Sequence, residues 1–203
     1  MNTLLLVRTS LYGAQGQSSQ LAERFVADWR RRNPAGRVIV RDLAEDPPPH
    51  LTAERFQAFS TAPEDRTPEQ REVVEYSDAL IDELRSADTI VIGAPMYNFS
   101  VPSTLRAYFD HIARAGLTFR YTSNGPEGLL KGRRVYVFVS RGGVYAAGAD
   151  TQTPYLRQFL GFIGLEPEFV FAEGLALGEE SRQQSLAAAR ERVANLAAVE
   201  LAA

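Results

Sequence analysis

Short apolar runs alternate with amphipathic segments of helical period along the whole chain. Three runs are rich in Val, Leu or Ile and lack strict polar–apolar alternation, which is typical of parallel strands buried on both faces. They are Thr3–Val7, Thr89–Ala94 and Arg134–Ser140, with Arg37–Val40 and Glu168–Ala172 as shorter candidates. The helical segments between them are Ser19–Arg32, Pro68–Ser86, Pro102–Ala115, Thr153–Ile163 and Glu180–Ala202. This order predicts a parallel sheet with helices on both faces.

The alternation predicts one α/β domain over residues 1–203, a three-layer sandwich built on a five-stranded parallel sheet in the flavodoxin-like order 2-1-3-4-5. Two stretches interrupt the alternation. Asp46–Thr67 contains four prolines, and Arg120–Lys131 contains Asn124-Gly125-Pro126. Because long insertions in compact domains are often functional, we expect both to be loops, with a role such as a lid over a site.

Composition excludes several classes of function. The chain has no cysteine, which excludes thiol nucleophiles, disulfides, iron–sulfur clusters and cysteine zinc sites. Its two histidines disfavour a multi-histidine metal centre, so no metal is expected. A net charge of −3 gives no reason to expect nucleic acid or an anionic membrane as partner. No apolar run is long enough to span a bilayer, and the apolar start is typical of a first strand rather than a signal peptide, so a cytoplasmic location is expected.

The loop after the first strand, residues 8–19, has the composition of a phosphate site. It carries hydroxyls, amides and two glycines but no acid, and it leads into a helix whose free N–H groups favour an anion. Ser10, Gln17 and Ser18 could add side-chain donors. An alternative is that Ser18 or Ser19 only caps the helix. The loop has neither the dinucleotide fingerprint nor a P-loop lysine, and it lacks the clustered acids of a receiver domain.

Two further loops would meet the first one at the carboxyl edge of the sheet. Between Pro95 and Pro102 lie several bulky residues, which we interpret as a rigid wall for a flat ring, although they could also be ordinary core residues. After the fourth strand, Gly142 and Gly143 would let the backbone approach a ligand and present N–H groups to it, although they could also form a simple turn. Together the three loops suit flavin mononucleotide (FMN), with phosphate in one loop and ring in the other two.

At these positions the sequence closely resembles the bacterial family of FMN-dependent NADH-azoreductases and NADH:quinone oxidoreductases. The similarity extends over essentially the whole chain. The most specific stretches are Ala94–Phe99, Ala113–Gly116, Thr118–Thr122, Asn124–Gly128, Ser140–Gly143 and Phe159–Gly164.

The resemblance implies a homodimer with one FMN at each of two sites near the interface. The implied cofactor-binding residues are Ser10, Gly16, Gln17, Ser18, Pro95, Met96, Tyr97, Asn98, Phe99, Ser140, Arg141, Gly142 and Gly143. The substrate pocket would be bordered by Phe99, Tyr121, Tyr145 and Phe162, in part from the partner subunit. No side chain is assigned as catalytic, because the flavin N5 carries the chemistry. The implied reaction is a ping-pong cycle in which NADH or NADPH drives two-electron reduction of quinones and cleavage of aromatic azo compounds to amines.

Several points stay open at the level of sequence. Three alternatives to this function remain open. They are a one-electron carrier of the flavodoxin type, a regulatory module without cofactor, and a flavin reductase that releases its reduced flavin. The choice between NADH and NADPH, and the physiological acceptor, are not determined. Arg141 could guide anionic groups or form a salt bridge, and His111 is expected at the surface or at an interface.

Overall fold

A computed structural model of the chain describes residues 2–146 and 148–199. Its main sheet has five parallel strands in the order β2-β1-β3-β6-β7. These strands are β1 (Thr3–Arg8), β2 (Arg37–Asp42), β3 (Thr89–Pro95), β6 (Arg134–Ser140) and β7 (Pro167–Ala172). The expected five-stranded parallel sheet is confirmed, and each strand lies within two residues of its predicted bounds.

Two further strands form a separate antiparallel hairpin, β4 (Phe119–Thr122) and β5 (Gly125–Gly128). Because these two strands are counted in chain order, the fourth and fifth strands of the main sheet are numbered β6 and β7. The expected order 2-1-3-4-5 therefore corresponds to 2-1-3-6-7 in this numbering. Arg120–Lys131, expected to be a loop, is therefore largely a hairpin. Its turn depends on Gly125, whose φ of 104° is a conformation that favours glycine. A cross-strand ion pair of Arg120 with Glu127, at 2.7 Å, links the two strands.

Helices cover both faces of the main sheet, which lies between two hydrophobic cores. Strand residues alternate between the cores, so that Leu4 and Leu6 face one and Leu5 and Val7 face the other. The first core is covered by α1 (Gln17–Arg32) and α6 (Glu179–Val199), and the second by α3 (Pro68–Ser86), α4 (Ser103–Ile112) and α5 (Gln152–Phe162). The last residues of the predicted helix Glu180–Ala202 lie outside the described part of the chain. No helix of the described residues is long and apolar enough to cross a bilayer.

The proline-rich stretch Asp46–Thr67 contains a helix that the sequence did not predict, α2 (Ala53–Ser60). Thr52 caps it by accepting a hydrogen bond from the backbone N–H of Arg55 at 3.3 Å. The helix packs on α3, and the Arg114 guanidinium lies 4.1 Å from the centre of the Phe59 ring. The expectation of an irregular loop was wrong here because tertiary contacts stabilise a helix too short to be stable alone.

Candidate functional site

The amino end of α1 has the unpaired donors of an anion site. Gly16 is the N-cap residue, no side chain caps the helix, and its first turn has no acidic residue. The hydroxyls of Ser18 and Ser19 are buried and have no hydrogen-bond partner within the described residues. The alternative in which one of these serines caps α1 is wrong, because both lie inside the helix. Buried hydroxyls without partners are costly, so they favour a ligand or water at this position.

The loops after β1 and β3 contact each other through Tyr97. The phenolic oxygen of Tyr97 accepts from the backbone N–H of Leu11 at 3.2 Å and lies 3.3 Å from the Ser10 hydroxyl. The loops after β3 and β6 are joined as well, since the N–H of Met96 donates to the carbonyl of Ser140 at 2.9 Å. The three loops predicted to form the site therefore meet at the carboxyl edge of the sheet.

The loop after β3 makes a tight turn with unusual backbone angles. Tyr97 and Ser100 exchange two backbone hydrogen bonds of 3.0 Å each. Asn98 and Phe99 between them have φ angles of 49° and 64°, which is rare for a bulky residue such as phenylalanine. Such strain is found mainly where surrounding contacts impose it, often at functional sites.

The same turn leaves polar and aromatic groups free to meet a ligand. Within the described part of the chain, no hydrogen bond uses the N–H groups of Asn98 and Phe99 or the side-chain amide of Asn98. The Phe99 ring is 65 % exposed and meets the Tyr145 ring edge to face at 6.4 Å. Pro95 is buried at the end of β3, and Met96 is half-buried beside it. Phe99 and Tyr145 thus border one exposed area.

The backbone after β6 is held by its carbonyl groups. Those of Arg141, Gly142 and Gly143 accept hydrogen bonds of 3.1, 3.0 and 2.9 Å from Leu175, Ala176 and Gly174, respectively. The N–H groups of Gly142 and Gly143 donate to no described residue. This pattern is more than a simple turn, because it leaves two successive donors available to an anionic or carbonyl group of a ligand.

The side chain of Arg141, next to this donor pair in the chain, is buried among acidic partners. It is 1 % exposed and forms ion pairs with Asp150 at 2.9 Å and Glu173 at 3.1 Å. Of the two interpretations left open by the sequence, the salt bridge is the one that the structure supports. The backbone of Arg141 is engaged as well, since its N–H donates to the Ala172 carbonyl at 2.9 Å and its carbonyl accepts from Leu175 at 3.1 Å.

Tyr121 and Phe162 lie together but apart from the other expected pocket residues. Both rings pack on Phe119, with centroid distances of 5.5 and 4.3 Å. Phe162 is the last residue of α5, whose first residue, Gln152, donates to the Pro95 carbonyl at 3.0 Å. At 1.5 Å per residue, Phe162 is roughly 15 Å along the helix from the predicted ring loops. Within one chain, therefore, these two aromatic residues do not border the area lined by Phe99.

His111 is not at the surface but is buried in the fold. Its Nε2 lies 3.0 Å from the carbonyl oxygen of Pro49, and its ring meets those of Tyr76 and Phe59 edge to face. Burial lowers the pKa of His111, and the hydrogen bond with Pro49 opposes that shift only in part. The expectation of a surface position was wrong because the stretch before α2 folds back over α4.

Comparison with characterised families and relatives agrees with this geometry. The family model for the flavodoxin-like fold matches residues 1–197. The FMN-dependent NADH:quinone oxidoreductase of Cellvibrio japonicus (strain Ueda107) is 52 % identical over 195 residues, which are 95 % of this chain and 97 % of the relative. The enzyme of the same name from Burkholderia thailandensis is 53 % identical over 196 residues, 96 % of this chain and 99 % of the relative.

Solved structures of similar proteins have the same fold. The azoreductase from Bacillus anthracis str. Sterne superposes with a TM-score of 0.89 at 30 % identity, over 97 % of this chain and 99 % of that one. An FMN-dependent NADH-azoreductase from Bacillus anthracis str. Ames Ancestor, solved in complex with FMN, gives 0.85 at 27 % identity, over 97 % and 100 % of the two chains. The resemblance inferred from the motifs is confirmed: the chain belongs to the flavodoxin-like fold family, in the group that includes FMN-dependent NADH:quinone oxidoreductases and azoreductases.

Proposed function

We propose that this protein is an FMN-dependent oxidoreductase that uses NADH or NADPH to reduce quinones by two electrons and to cleave aromatic azo compounds to amines. Relatives at about half identity over nearly the full chain are named FMN-dependent NADH:quinone oxidoreductases, and the similar structures at 27–30 % identity are named azoreductases. The observation that carries the proposal is the set of unpaired donors at the carboxyl edge of the sheet. They comprise the buried hydroxyl of Ser18 and the free N–H groups of Gly142 and Gly143.

FMN fits this set of groups. Its phosphate would be held by the amino end of α1, where hydroxyls and helix N–H groups have no acidic neighbour in the first turn. The residues proposed for the phosphate are Ser10, Gly16, Gln17 and Ser18. Its ring would lie against the loops after β3 and β6, and the residues proposed there are Pro95, Met96, Tyr97, Asn98, Phe99, Ser140, Arg141, Gly142 and Gly143. When bound, FMN supplies the hydride and two-electron chemistry that the protein side chains lack.

The chain's own residues bind and orient the reactants in this proposal. The N–H groups of Gly142 and Gly143 are preorganised donors for negative charge at the edge of the ring, as in an oxyanion hole. Phe99 and Tyr145 would cover one side of the reactive area and keep water from it. No side chain is required to transfer a proton or to form a covalent bond, which suits a chain without cysteine. One substrate can leave before the next one enters, which is the ping-pong order.

The proposed active unit is a homodimer. Tyr121 is 76 % exposed although it is aromatic, and α5 presents the half-buried rings of Tyr155, Phe159 and Phe162 along a shallow groove. Such a surface is suited to a partner subunit. A second copy would bring Tyr121 and Phe162 to a pocket that they do not reach within one chain. Each subunit is proposed to be one domain over residues 1–203, and a cytoplasmic location is proposed because NADH, the reductant named in the relatives, is a cytoplasmic cofactor.

The deciding experiment follows the absorbance spectrum of the purified protein with FMN under anaerobic conditions. One equivalent of NADH should bleach the bound flavin, and one equivalent of benzoquinone should restore its colour. The Ser18→Ala variant should bind FMN at least about tenfold more weakly, because a charge-assisted hydrogen bond is lost. Ser123→Ala, at an exposed turn of the hairpin, serves as the control and should bind normally.

Other outcomes favour the alternatives. A protein that binds no flavin would contradict the proposal and favour a regulatory module. A bound flavin that NADH cannot reduce would favour an electron carrier. Release of the flavin from the protein during each turnover, detected by gel filtration of the reaction mixture, would favour a flavin reductase.

A further inference from the structure

Arg141 is a charged residue held almost entirely inside the protein. Besides its ion pairs with Asp150 and Glu173, its Nε donates to Oε1 of Gln152 at 3.3 Å, and its guanidinium also donates to the Thr153 hydroxyl. The rings of Phe171 and Tyr145 flank the guanidinium, at 5.0 and 5.6 Å from its carbon to their centres. Burying a charge is costly unless it is paired and hydrogen-bonded, and this side chain has both kinds of partner.

The partners of the Arg141 side chain come from two segments next to the proposed ring loops, the end of β7 and the start of α5. Glu173 follows β7, Asp150 precedes α5, and Gln152 begins that helix. Gln152 extends the network to β3, because its side-chain amide donates to the carbonyls of Ala94 and Pro95 at 3.2 and 3.0 Å. The guanidinium therefore links the loop after β6 directly to the end of β7, and through Gln152 to the end of β3.

The backbone that follows Arg141 depends on the same arrangement. Its N–H donates to the Ala172 carbonyl at 2.9 Å, directly before Glu173, and the next carbonyls bind residues 174–176. Glu173 thus ties the loop after β7 to the guanidinium, while that loop holds the carbonyls of Gly142 and Gly143. Asp150 also accepts from the N–H groups of Gln152 and Thr153, each at 3.0 Å, which fixes the start of α5.

We propose that Arg141 is a positioning residue whose side chain holds the N–H groups of Gly142 and Gly143 in the direction of the flavin ring, without that side chain contacting the ring or the substrate. This inference rests on the proposed function. It gives Arg141 a role distinct from the guidance of anionic substrates, because its buried side chain has no surface to offer them.

The geometry requires a guanidinium rather than any positive charge. Arginine has five donors in a rigid planar fork, so it can bind two carboxylates, an amide and a hydroxyl at once. Lysine keeps the charge, but its single ammonium cannot bind all the partners at the start of α5 and Glu173 after β7 at once. The Arg141→Lys substitution therefore separates the positioning effect from the effect of charge.

The test measures the dissociation constants of FMN and of riboflavin, which lacks the phosphate, by quenching of flavin fluorescence. If Arg141 positions only the loop that meets the ring, Arg141→Lys weakens both ligands by the same factor, of about tenfold or more. Ser18→Ala should instead weaken FMN and leave riboflavin unchanged. Arg192→Lys, at an exposed ion pair with Glu168, is the matched control and should change neither.

Three results would overturn the inference: unchanged affinities in Arg141→Lys, a loss of affinity for FMN alone, or a larger loss of affinity for FMN than for riboflavin. The third result is what a general loosening of the fold would give, because the phosphate contacts would then weaken as well. If the lysine variant does not fold, Glu173→Gln takes its place. Glutamine keeps an acceptor for Arg141 but removes the negative charge, and the affinities for FMN and riboflavin are compared in the same way. Failure of the proposed function is distinguishable, because the unmodified protein would then bind neither flavin or would bind a flavin that NADH does not reduce.

Discussion

Gly16 lies so close to Ser10 that no side chain fits at position 16: a Cβ atom there would be 2.6 Å from the Cβ of Ser10. The Ser10 hydroxyl is fixed in turn, since it accepts from the N–H of Tyr12 at 3.2 Å and lies beside the Tyr97 hydroxyl. Gly16 is also the N-cap residue of α1, and its carbonyl accepts a hydrogen bond from the N–H of Gln20 at 2.9 Å. The glycine thus allows the loop after β1 to close tightly over the amino end of the helix.

We therefore expect Gly16→Ala to weaken FMN binding by about tenfold or more, because Ser10 and the helix start must separate and two phosphate contacts are lost. Fluorescence titration of FMN measures the change. Gly161→Ala, in the last turn of α5, is the control: a Cβ there meets nothing within 4 Å. It should leave FMN affinity unaltered and should not destabilise the protein, because alanine has the higher helix propensity. Equal affinities in the two variants would contradict the assigned role of Gly16.

The strained turn at Asn98 and Phe99 gives a second prediction. Because Phe99 holds a φ of 64° and is 65 % exposed, Phe99→Gly should relieve strain and raise the free energy of unfolding by about 0.5–1 kcal/mol, net of the added freedom of the unfolded chain. Quinone turnover should fall in the same variant, because the proposed ring wall is removed. Urea denaturation and steady-state assays give the two quantities.

Asn98→Gly is the control for this turn. Asparagine already tolerates left-handed backbone, so its replacement should change stability by less than about 0.5 kcal/mol. A Phe99→Gly protein that is less stable than the parent chain would show that contacts of the ring, and not its backbone angles, dominate at this position.

The fold could be predicted from the sequence because its strongest signals are local. Runs such as Thr89–Ala94 are apolar on both faces, and only a sheet covered by helices on both sides buries them completely. The helix at Ala53–Ser60 gave no comparable signal. It is short and lies between prolines, and the contact of Phe59 with Arg114, 55 positions further along the chain, does not appear in any local pattern.

The candidate site could be predicted only in part. Its loops follow from the strand order, since parallel strands bring their carboxyl ends to one edge. The orientation of the Arg141 side chain does not follow from the strand order, because it depends on Glu173, which follows β7, and on the buried Gln152. Neither is marked by a motif. The burial of His111 was missed for the same reason, as it requires the carbonyl of Pro49 from a distant loop.

The burial of His111 predicts how stability depends on pH. Its pKa in the folded protein is below the usual value of 6.5, chiefly because burial penalises the charged ring. Between these two pKa values the His111 ring of the unfolded chain binds more protons than that of the folded protein. The contribution of the neutral ring to the free energy of unfolding is therefore fully present above pH 6.5 and is lost as pH falls toward the pKa of the folded protein. Denaturation between about pH 5 and 7.5, followed by fluorescence of the buried Trp29, should show this loss.

His111→Gln should remove that part of the pH dependence. The glutamine amide can still donate to the Pro49 carbonyl, but it does not titrate. His50→Gln is the matched control, since His50 is exposed, and the loss of stability toward acid pH should persist in it. An unchanged acid loss in His111→Gln would assign the effect to other groups.

The last prediction concerns the proposed sharing of the site between two subunits. Tyr121 is largely exposed in one chain and contacts Phe119 only through the edge of its ring. We therefore expect Tyr121→Ala to leave the free energy of unfolding within about 0.5 kcal/mol of the parent value, as for most surface substitutions. Quinone turnover should nevertheless decrease, because the ring would border the pocket of the partner subunit.

Mixed dimers, purified with two different affinity tags, decide which subunit Tyr121 serves. A dimer of one Gly16→Ala chain and one Tyr121→Ala chain keeps one complete site if Tyr121 acts across the interface, since the chain that binds FMN receives an intact tyrosine from its partner. A dimer of a parent chain with a chain carrying both substitutions has no complete site under the same hypothesis, because its only FMN lies opposite Ala at position 121. The first dimer should therefore be active and the second impaired. The reverse pattern would assign Tyr121 to its own subunit, and a protein that stays monomeric at assay concentration would contradict the shared site altogether.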